Sequence, residues 1–280
     1  MPDPIRPDRE VMEYDVVIVG GGPSGLSTAI RLKQISPDVS VCLLEKGSEI
    51  GAHLLSGAAF EPRALNELFP DWKERGAPLN TECKEDKFVF LTKSFAIALP
   101  NPPQMNNHGN YIISIGELGR WLAAQAEQLG VDVFPQQAVA EVLYNDANEV
   151  IGVATGDMGI GKNGEKRHDF IPGMEIHAKQ SVFAEGCHGS LTKTLINKFN
   201  LRKDSDPQTY GLGVKEIWEI NPEKFKKGMT MHTVGWPMDS KTYGGSWMYH
   251  FGENSVSIGF VTGLVFKLHN EVHILLQGLG

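Results

Sequence analysis

Tyr14-Asp15-Val16-Val17-Ile18-Val19-Gly20-Gly21-Gly22-Pro23-Ser24-Gly25 is the stretch that decides the fold of this chain. Val16 to Val19 is an unbroken β-branched run, the pattern of a strand buried on both faces of a parallel sheet. The glycines end it. From Ser24 to Ile35, apolar side chains at Leu26, Ala29, Ile30 and Leu32 suit a helix packed on that sheet. Pro37-Asp38 breaks the helix and Val39 to Leu44 supplies the next strand, so the opening reads strand, helix, strand. Gly20-x-Gly22-x-x-Gly25 thus stands where such a pattern carries meaning, after a strand and at the start of a helix. The first glycine permits the tight turn, the second lets backbone approach a pyrophosphate, and the third allows close helix-to-strand contact. The helix N-terminus adds free N–H groups and a positive dipole end. Glu45 closes the second strand twenty positions after Gly25 (45 − 25), where a carboxylate can hydrogen-bond ribose hydroxyls. A glycine-rich turn that binds nothing is the alternative, and the four elements together weigh against it. The N-terminal position of the fingerprint and a later strand and turn at Ala184-Glu185-Gly186 favour FAD over NAD, because large flavoproteins return to the flavin with a further strand and turn.

Outward from this core, Lys87 to Leu99 is strand-rich and ends in the turn Pro100-Asn101-Pro102-Pro103. Glu117 to Leu129 predicts a helix with Leu118, Trp121, Leu122, Ala126 and Leu129 on one side and Gly130 just past its end. Val131 to Phe134 reads as a strand, Val139 to Leu143 and Val150 to Thr155 as a hairpin, and Asn163-Gly164 as a turn. Ser181 to Ala184 is a short strand, followed by a helix from Ser190 to Phe199. Beyond about Asp204 the texture becomes alternating and aromatic-rich, with Tyr210, Trp218, Trp236, Tyr243, Trp247, Tyr249 and Phe251. A second, sheet-based domain is expected there.

Composition narrows the function classes. The 280 residues are 41% hydrophobic and 21% charged, enough material for one large domain or two smaller ones. A net charge of −8 gives no electrostatic basis for gripping nucleic-acid phosphates, so nucleic acid is not an expected partner. Cys42, Cys83 and Cys187 lie too far apart for a zinc site or a disulfide scaffold. The opening residues Met1 to Pro7 lack a signal peptide's apolar segment, and no run approaches the ~18 consecutive apolar residues of a membrane span. Any membrane contact is expected to be peripheral.

Several longer strings carry a family resemblance. Gly51-Ala52-His53-Leu54-Leu55-Ser56-Gly57, Leu68-Phe69-Pro70-Asp71-Trp72-Lys73, Met105-Asn106-Asn107-His108-Gly109-Asn110-Tyr111-Ile112, Phe183-Ala184-Glu185-Gly186-Cys187-His188-Gly189, His232-Thr233-Val234-Gly235-Trp236-Pro237 and Thr242-Tyr243-Gly244-Gly245-Ser246 resemble electron transfer flavoprotein:ubiquinone oxidoreductase. The resemblance runs from about Tyr14 to Leu264. It implies an α/β fold: a Rossmann-type FAD-binding domain over 14–203, with a strand-rich excursion at about 80–108, and a partial β-rich ubiquinone-binding domain over 204–264. It also implies FAD and a [4Fe-4S] cluster as cofactors, and electron transfer flavoprotein and ubiquinone as partners. The expected location is a bacterial or mitochondrial inner membrane. Cofactor contacts are expected from Gly20, Gly21, Gly22, Pro23, Ser24, Gly25, Glu45, Lys46, His53, Ser56, Gly57, Glu185 and Gly186.

Gly244 and Gly245 match the glycine pair beside the quinone in the family, where only glycine lets backbone amides approach a flat ring; a bend in a strand is the alternative. Leu54 to Arg75 matches a region that dips into the bilayer, with Leu54, Leu55, Leu65, Leu68, Phe69 and Trp72 as an apolar face; a core helix capping the flavin site is the alternative. His53, His108, His188, His232 and His250 have no metal-site spacing. Tyr243 or His250 is a candidate proton relay for quinone reduction.

The chain also departs from the family pattern. Three separated cysteines cannot form the family's four-cysteine cluster set, so no metal ligand is expected in this chain. Val265 to Gly280 resembles nothing in the family, and a truncated chain with a foreign or frame-shifted tail is the expectation. The rival functions are a geranylgeranyl-reductase-like or monooxygenase flavoenzyme acting on a lipid, and a non-catalytic FAD-binding fragment.

Overall fold

The computed structural model describes residues 9–264, so the opening residues 1–8 and the 265–280 tail lie outside the described residues. In chain order the elements begin with β1 (Val11–Val19), α1 (Pro23–Ile35), β2 (Val41–Leu44), β3 (Ser56–Phe60), α2 (Arg63–Leu68), β4 (Glu85–Leu91) and β5 (Ala96–Leu99). Next come β6 (Tyr111–Ser114), α3 (Ile115–Gln128), β7 (Asp132–Phe134), β8 (Val139–Tyr144), β9 (Val150–Thr155), β10 (Met158–Ile160), β11 (Lys166–Ile171) and β12 (Glu175–Phe183). The chain continues with α4 (Leu191–Phe199), β13 (Tyr210–Glu219), β14 (Met229–Gly235), β15 (Gly244–Phe251) and β16 (Ser255–Leu264). The described residues form two compact units, one of residues 9–56, 63–78 and 114–204, the other of 57–62, 79–113 and 205–264.

The first unit is built on a six-stranded sheet in the order β7-β2-β1-β12-β9-β8. β7, β2, β1 and β12 run parallel, and the β8–β9 hairpin adds to β12 antiparallel. Val16 to Val19 and all of β2 are buried, as a strand covered on both faces requires. α1 buries Gly25, Leu26, Ala29 and Ile30 and packs beside α3. α3 starts where Ser114 Oγ accepts the Glu117 N–H at 3.2 Å and ends before Gly130, whose φ of 84° suits only glycine. Leu129, expected on its apolar side, is exposed because the helix ends one residue earlier. β12 is nine residues long, not the four expected: pairing with β1 on one side and β9 on the other holds its polar first half in the sheet.

The second unit is a six-stranded sheet in the order β13-β16-β15-β14-β4-β5. β4 pairs in parallel with β14, in register from Met229↔Glu85 to Gly235↔Leu91. The excursion at 80–108, counted from sequence with the first domain, therefore hydrogen-bonds into the sheet of the second unit. Cys83, Ile112 and Tyr249 form a buried cluster with Ala59, Trp247 and Phe251, so the β3–β6 pair packs on the face carrying the aromatic residues of β15. Asp86 ties this unit together, accepting from the Asn107 N–H at 2.9 Å, Asn107 Nδ2 at 2.8 Å and Thr230 Oγ1. Burial opposes its ionisation, but the Thr230 and Asn107 bonds prevail and hold its pKa below the ordinary value.

The segment 54–75 does not present the expected apolar face. Leu65, Phe69 and Trp72 are buried, while Glu61, Arg63, Asn66, Glu67, Asp71, Lys73, Glu74 and Arg75 around them are exposed. Phe69 meets Trp121 of α3 edge-on with ring centroids 5.5 Å apart, and Trp72 Nε1 donates to Asn66 Oδ1 at 2.6 Å. Aromatic rings placed against a neighbouring helix gain burial that an exposed position would forfeit. Of the six residues, only Leu55 is strongly exposed, at 72%.

Candidate cofactor and ligand sites

The turn from β1 into α1 is assembled from strand ends. Gly20 donates its N–H to Leu44 O at 2.8 Å, and Ala184 donates to Val19 O at 2.8 Å, so the ends of β1, β2 and β12 converge. Gly20 has a φ of 111°, and a Cβ there would strike the Ala184 carbonyl. A Cβ on Gly21 would meet Ile50 Cδ1 at 2.5 Å and Glu45 Cβ at 3.0 Å, and one on Gly25 would strike the Gly20 carbonyl. Backbone packing thus accounts for Gly20 and Gly25, and neighbouring side chains crowd Gly21. Gly22 differs: its φ of −79° is ordinary, and a Cβ there would find nothing among the described residues within 4 Å. It is the N-cap of α1 and has no side chain to bond the first helical N–H groups; Pro23 follows it. The N–H groups of Ser24 and Gly25 therefore face the space beside Gly22 without a side-chain cap, a cradle that accommodates a pyrophosphate.

Glu45 sits beside this turn. Its Oε2 accepts the Gly21 N–H at 2.8 Å and its Oε1 the Gly47 N–H at 2.7 Å, with His53 Nδ1 3.9 Å from Oε1. Each oxygen retains a lone pair for a further donor. Lys46 is exposed, and the His53 side chain is more than half exposed. Ser56 opens β3. Gly57 belongs to the second unit, where its φ is 72° and a Cβ would strike the Ser257 side chain.

Glu185 has a role that the sequence reading missed. Its carboxylate accepts from Leu191 N at 3.1 Å, Thr192 N at 2.8 Å and Thr192 Oγ1 at 2.6 Å, capping the start of α4, where Ser190 makes no side-chain cap. Burial resists its ionisation, yet the bonds from Thr192 and Leu191 outweigh it and lower the pKa. Gly186, with a φ of 80° and open space at its Cβ position, is the exposed glycine of this turn.

In the second unit, a cleft of about 720 Å³ is lined by Phe90, Leu91, Val234, Trp236, Met238, Tyr243 and Gly244, with Lys93 and Asp239 to Thr242 among its polar residues. Gly244, at a φ of 150°, would place a Cβ into the Val261 carbonyl, and Gly245 into the Thr233 carbonyl. Close strand packing therefore accounts for both. Tyr243 stands 83% exposed at the cleft. His250 does not line it: the ring is buried, Nδ1 accepts the Lys226 N–H at 3.1 Å and Nε2 has no hydrogen-bond partner among the described residues. His232 Nε2 pairs with Tyr249 OH at 2.7 Å, and burial pushes that phenol up to about 12.

Cys42 and Cys83 are buried in different units, and burial pushes both thiols up to about 12. Such residues do not fit a cluster that needs four thiolates. No described helix is long and apolar enough to cross a membrane.

The fold is that of the FAD-dependent oxidoreductases. The chain superposes on a geranylgeranyl bacteriochlorophyll reductase-like protein from Thermoplasma acidophilum with a TM-score of 0.64 at 20% identity, covering 90% of this chain and 57% of that one. A probable FAD-dependent monooxygenase from Pseudomonas aeruginosa gives 0.57 at 13% identity, covering 90% and 60%. In sequence, the ETF-QO ubiquinone-binding family matches residues 210–272, a span that runs past Leu264, and the Thi4 family matches residues 7–65. The chain is 53% identical to the mitochondrial electron transfer flavoprotein-ubiquinone oxidoreductase of Dictyostelium discoideum over 97% of its length and 48% of the relative's. It is 54% identical to the probable enzyme of Acinetobacter baylyi over 93% and 47%, and 53% identical to the Homo sapiens mitochondrial protein over 94% and 44%. Over the portion it shares with them, the chain belongs to the electron transfer flavoprotein-ubiquinone oxidoreductase family. It spans about half the length of these curated relatives.

Proposed function

We propose that this chain carries the FAD- and quinone-binding portions of an enzyme that passes electrons from reduced electron transfer flavoprotein to ubiquinone. The observation that carries the cofactor reading is Gly22, a glycine that no internal contact explains, at an uncapped helix start beside Glu45. In this reading the Ser24 and Gly25 N–H groups hold the pyrophosphate, and the free lone pairs of Glu45 take ribose hydroxyls. Gly186 lets backbone approach the cofactor without a side chain. Lys46 and His53, both exposed, contribute at the rim. When bound, FAD supplies the redox chemistry, and the protein contributes position and electrostatics.

The quinone reading rests on the cleft beside Gly244 and on the family match over 210–272. An apolar cleft edged by a few polar groups suits a ring with carbonyl oxygens and a hydrocarbon tail. We infer membrane contact through the β4–β5 hairpin in place of 54–75. Phe90, Phe95, Ile97 and Leu99 are exposed there, and Lys87 and Lys93 are the only Lys, Arg, Asp or Glu residues from Lys87 to Asn110 in a chain of net charge −8. Apolar tips flanked by lysines match an anionic lipid surface.

The test is flavin content. The purified chain is expected to carry FAD, read from its absorbance spectrum. Measured against the flavin-stripped parent, Gly22→Val is expected to melt at nearly the same temperature and to take up no flavin, because the new side chain fills only the cradle. Full flavin occupancy in that variant would overturn the reading.

A further inference from the structure

We propose that Asp239 is a positioning residue for the ligand of the second unit's cleft, its carboxylate fixing the loop 236–243 as a preformed wall before anything binds. The inference rests on the quinone reading above and deepens it.

The loop has little packing to order it. Trp236, Asp239, Lys241, Thr242 and Tyr243 are all exposed, and only Met238 is half-buried. An exposed segment without buried apolar contacts ordinarily samples many conformations, and ordering it on binding weakens affinity. Here hydrogen bonds fix it instead. At its ends, Trp236 donates its N–H to Leu91 O at 2.9 Å, Met238 donates to Gly235 O at 3.0 Å, and Tyr243 O accepts the Gly263 N–H at 2.7 Å. Between those anchors, the Lys241 N–H at 2.9 Å, the Thr242 N–H at 2.9 Å and Thr242 Oγ1 at 2.8 Å all converge on Asp239 Oδ1. One carboxylate oxygen thus holds the middle of the wall. The hydrogen bond from Thr242 is the main reason the Asp239 pKa lies below its ordinary value.

The loop's order has a geometric consequence at the ligand. Trp236 and Tyr243, at its two ends, line the cleft together with Met238. Losing the central bonds frees the wall between them while leaving the strand anchors at Leu91 and Gly263 in place. The folded sheet is retained, and the penalty falls on binding.

The experiment titrates a short-tailed ubiquinone into the purified flavin-loaded chain and follows tryptophan fluorescence, since Trp236 stands in the cleft wall. The unsubstituted protein is expected to show saturable quenching. Asp239→Ala is expected to weaken binding by about 3- to 10-fold, the scale of a lost side-chain cap. Asp239→Asn is expected to bind within about 2-fold of the parent, because its amide oxygen accepts the same three donors. Thr242→Val, which removes one donor, should weaken binding less than Asp239→Ala, and it serves if the alanine variant does not fold. Parent-like affinity in Asp239→Ala, or in Thr242→Val where that variant stands in, overturns the inference alone. So does an asparagine variant as weak as the alanine one, since charge rather than hydrogen-bond geometry would then govern the site. No saturable quenching in the unsubstituted protein overturns the quinone reading and this inference with it.

Discussion

The glycine turn of the first unit and the glycine pair of the other unit are alike in sequence and differ in what they demand. At Gly244 and Gly245 a carbonyl of a neighbouring strand occupies the place of each missing side chain, so the sheet alone requires glycine. At Gly22 nothing does. A glycine that the fold explains says little about a ligand, whereas one that the fold leaves unexplained points to something that must approach from outside. The candidate ligand site of the second unit accordingly rests on its cleft and not on its glycines.

The sharpest way to break this contrast is to fill both positions. Gly245→Val is expected to cost about 3 kcal/mol or more, read by urea denaturation, because the Thr233 carbonyl cannot move without tearing β14 from β15. Gly22→Val should leave the urea curve of the flavin-free protein nearly unmoved and abolish only flavin binding. Equal destabilisation by the two substitutions would erase the distinction.

A smaller effect is expected at the start of α4. Glu185→Ala removes the acceptor of three donors and should cost ~1–2 kcal/mol, with amide exchange rising first at Leu191 and Thr192. If flavin content fell while exchange at those amides stayed unchanged, Glu185 would belong to the cofactor site and not to the helix.

The gentlest probe is pH, which separates the units. His232 and His250 of the second unit both lie below the ordinary histidine value of 6.5, chiefly through burial, with the Asp86 charge partly opposing the shift at His232 and Lys226 and Lys87 adding to it at His250. The unfolded chain then binds more protons than the folded one. The stability they contribute is complete above pH 6.5 and is lost as pH falls through their lower folded values. Glu185 in the first unit also has a lowered value, so its contribution is lost only as pH drops below the carboxylate value of 4.5. Amide protection factors, which are corrected for the intrinsic pH dependence of exchange, should therefore fall in β14 and β15 before α4 as pH drops from 7; the reverse order would contradict this assignment.

Much of the first unit was legible because its signals are local. Val16 to Glu45 holds strand, turn, helix and acidic strand end within one short span, and each element is marked by residues close to it in the chain. The nine-residue extent of β12 was not legible, since its polar half is held by β1 and β9, which are distant in sequence. Nor was the partnership of β4 with β14: hydrophobic alternation shows that a strand exists but not which strand it will pair with. The segment 54–75 illustrates the same limit, because its apolar spacing suits a membrane face and a core face equally.

The sequence by itself determined the dinucleotide turn, the two-part α/β organisation and the family, because glycine spacing, β-branched runs and motif strings are properties of neighbouring residues. Tertiary structure alone decided that Phe69 and Trp72 turn inward, that Glu185 caps a helix, that strand packing requires Gly244 and Gly245, and that Gly22 remains open. Each depends on which atoms distant parts of the chain bring within contact, and contact across the fold sets both the burial of a ring and the space left beside a glycine.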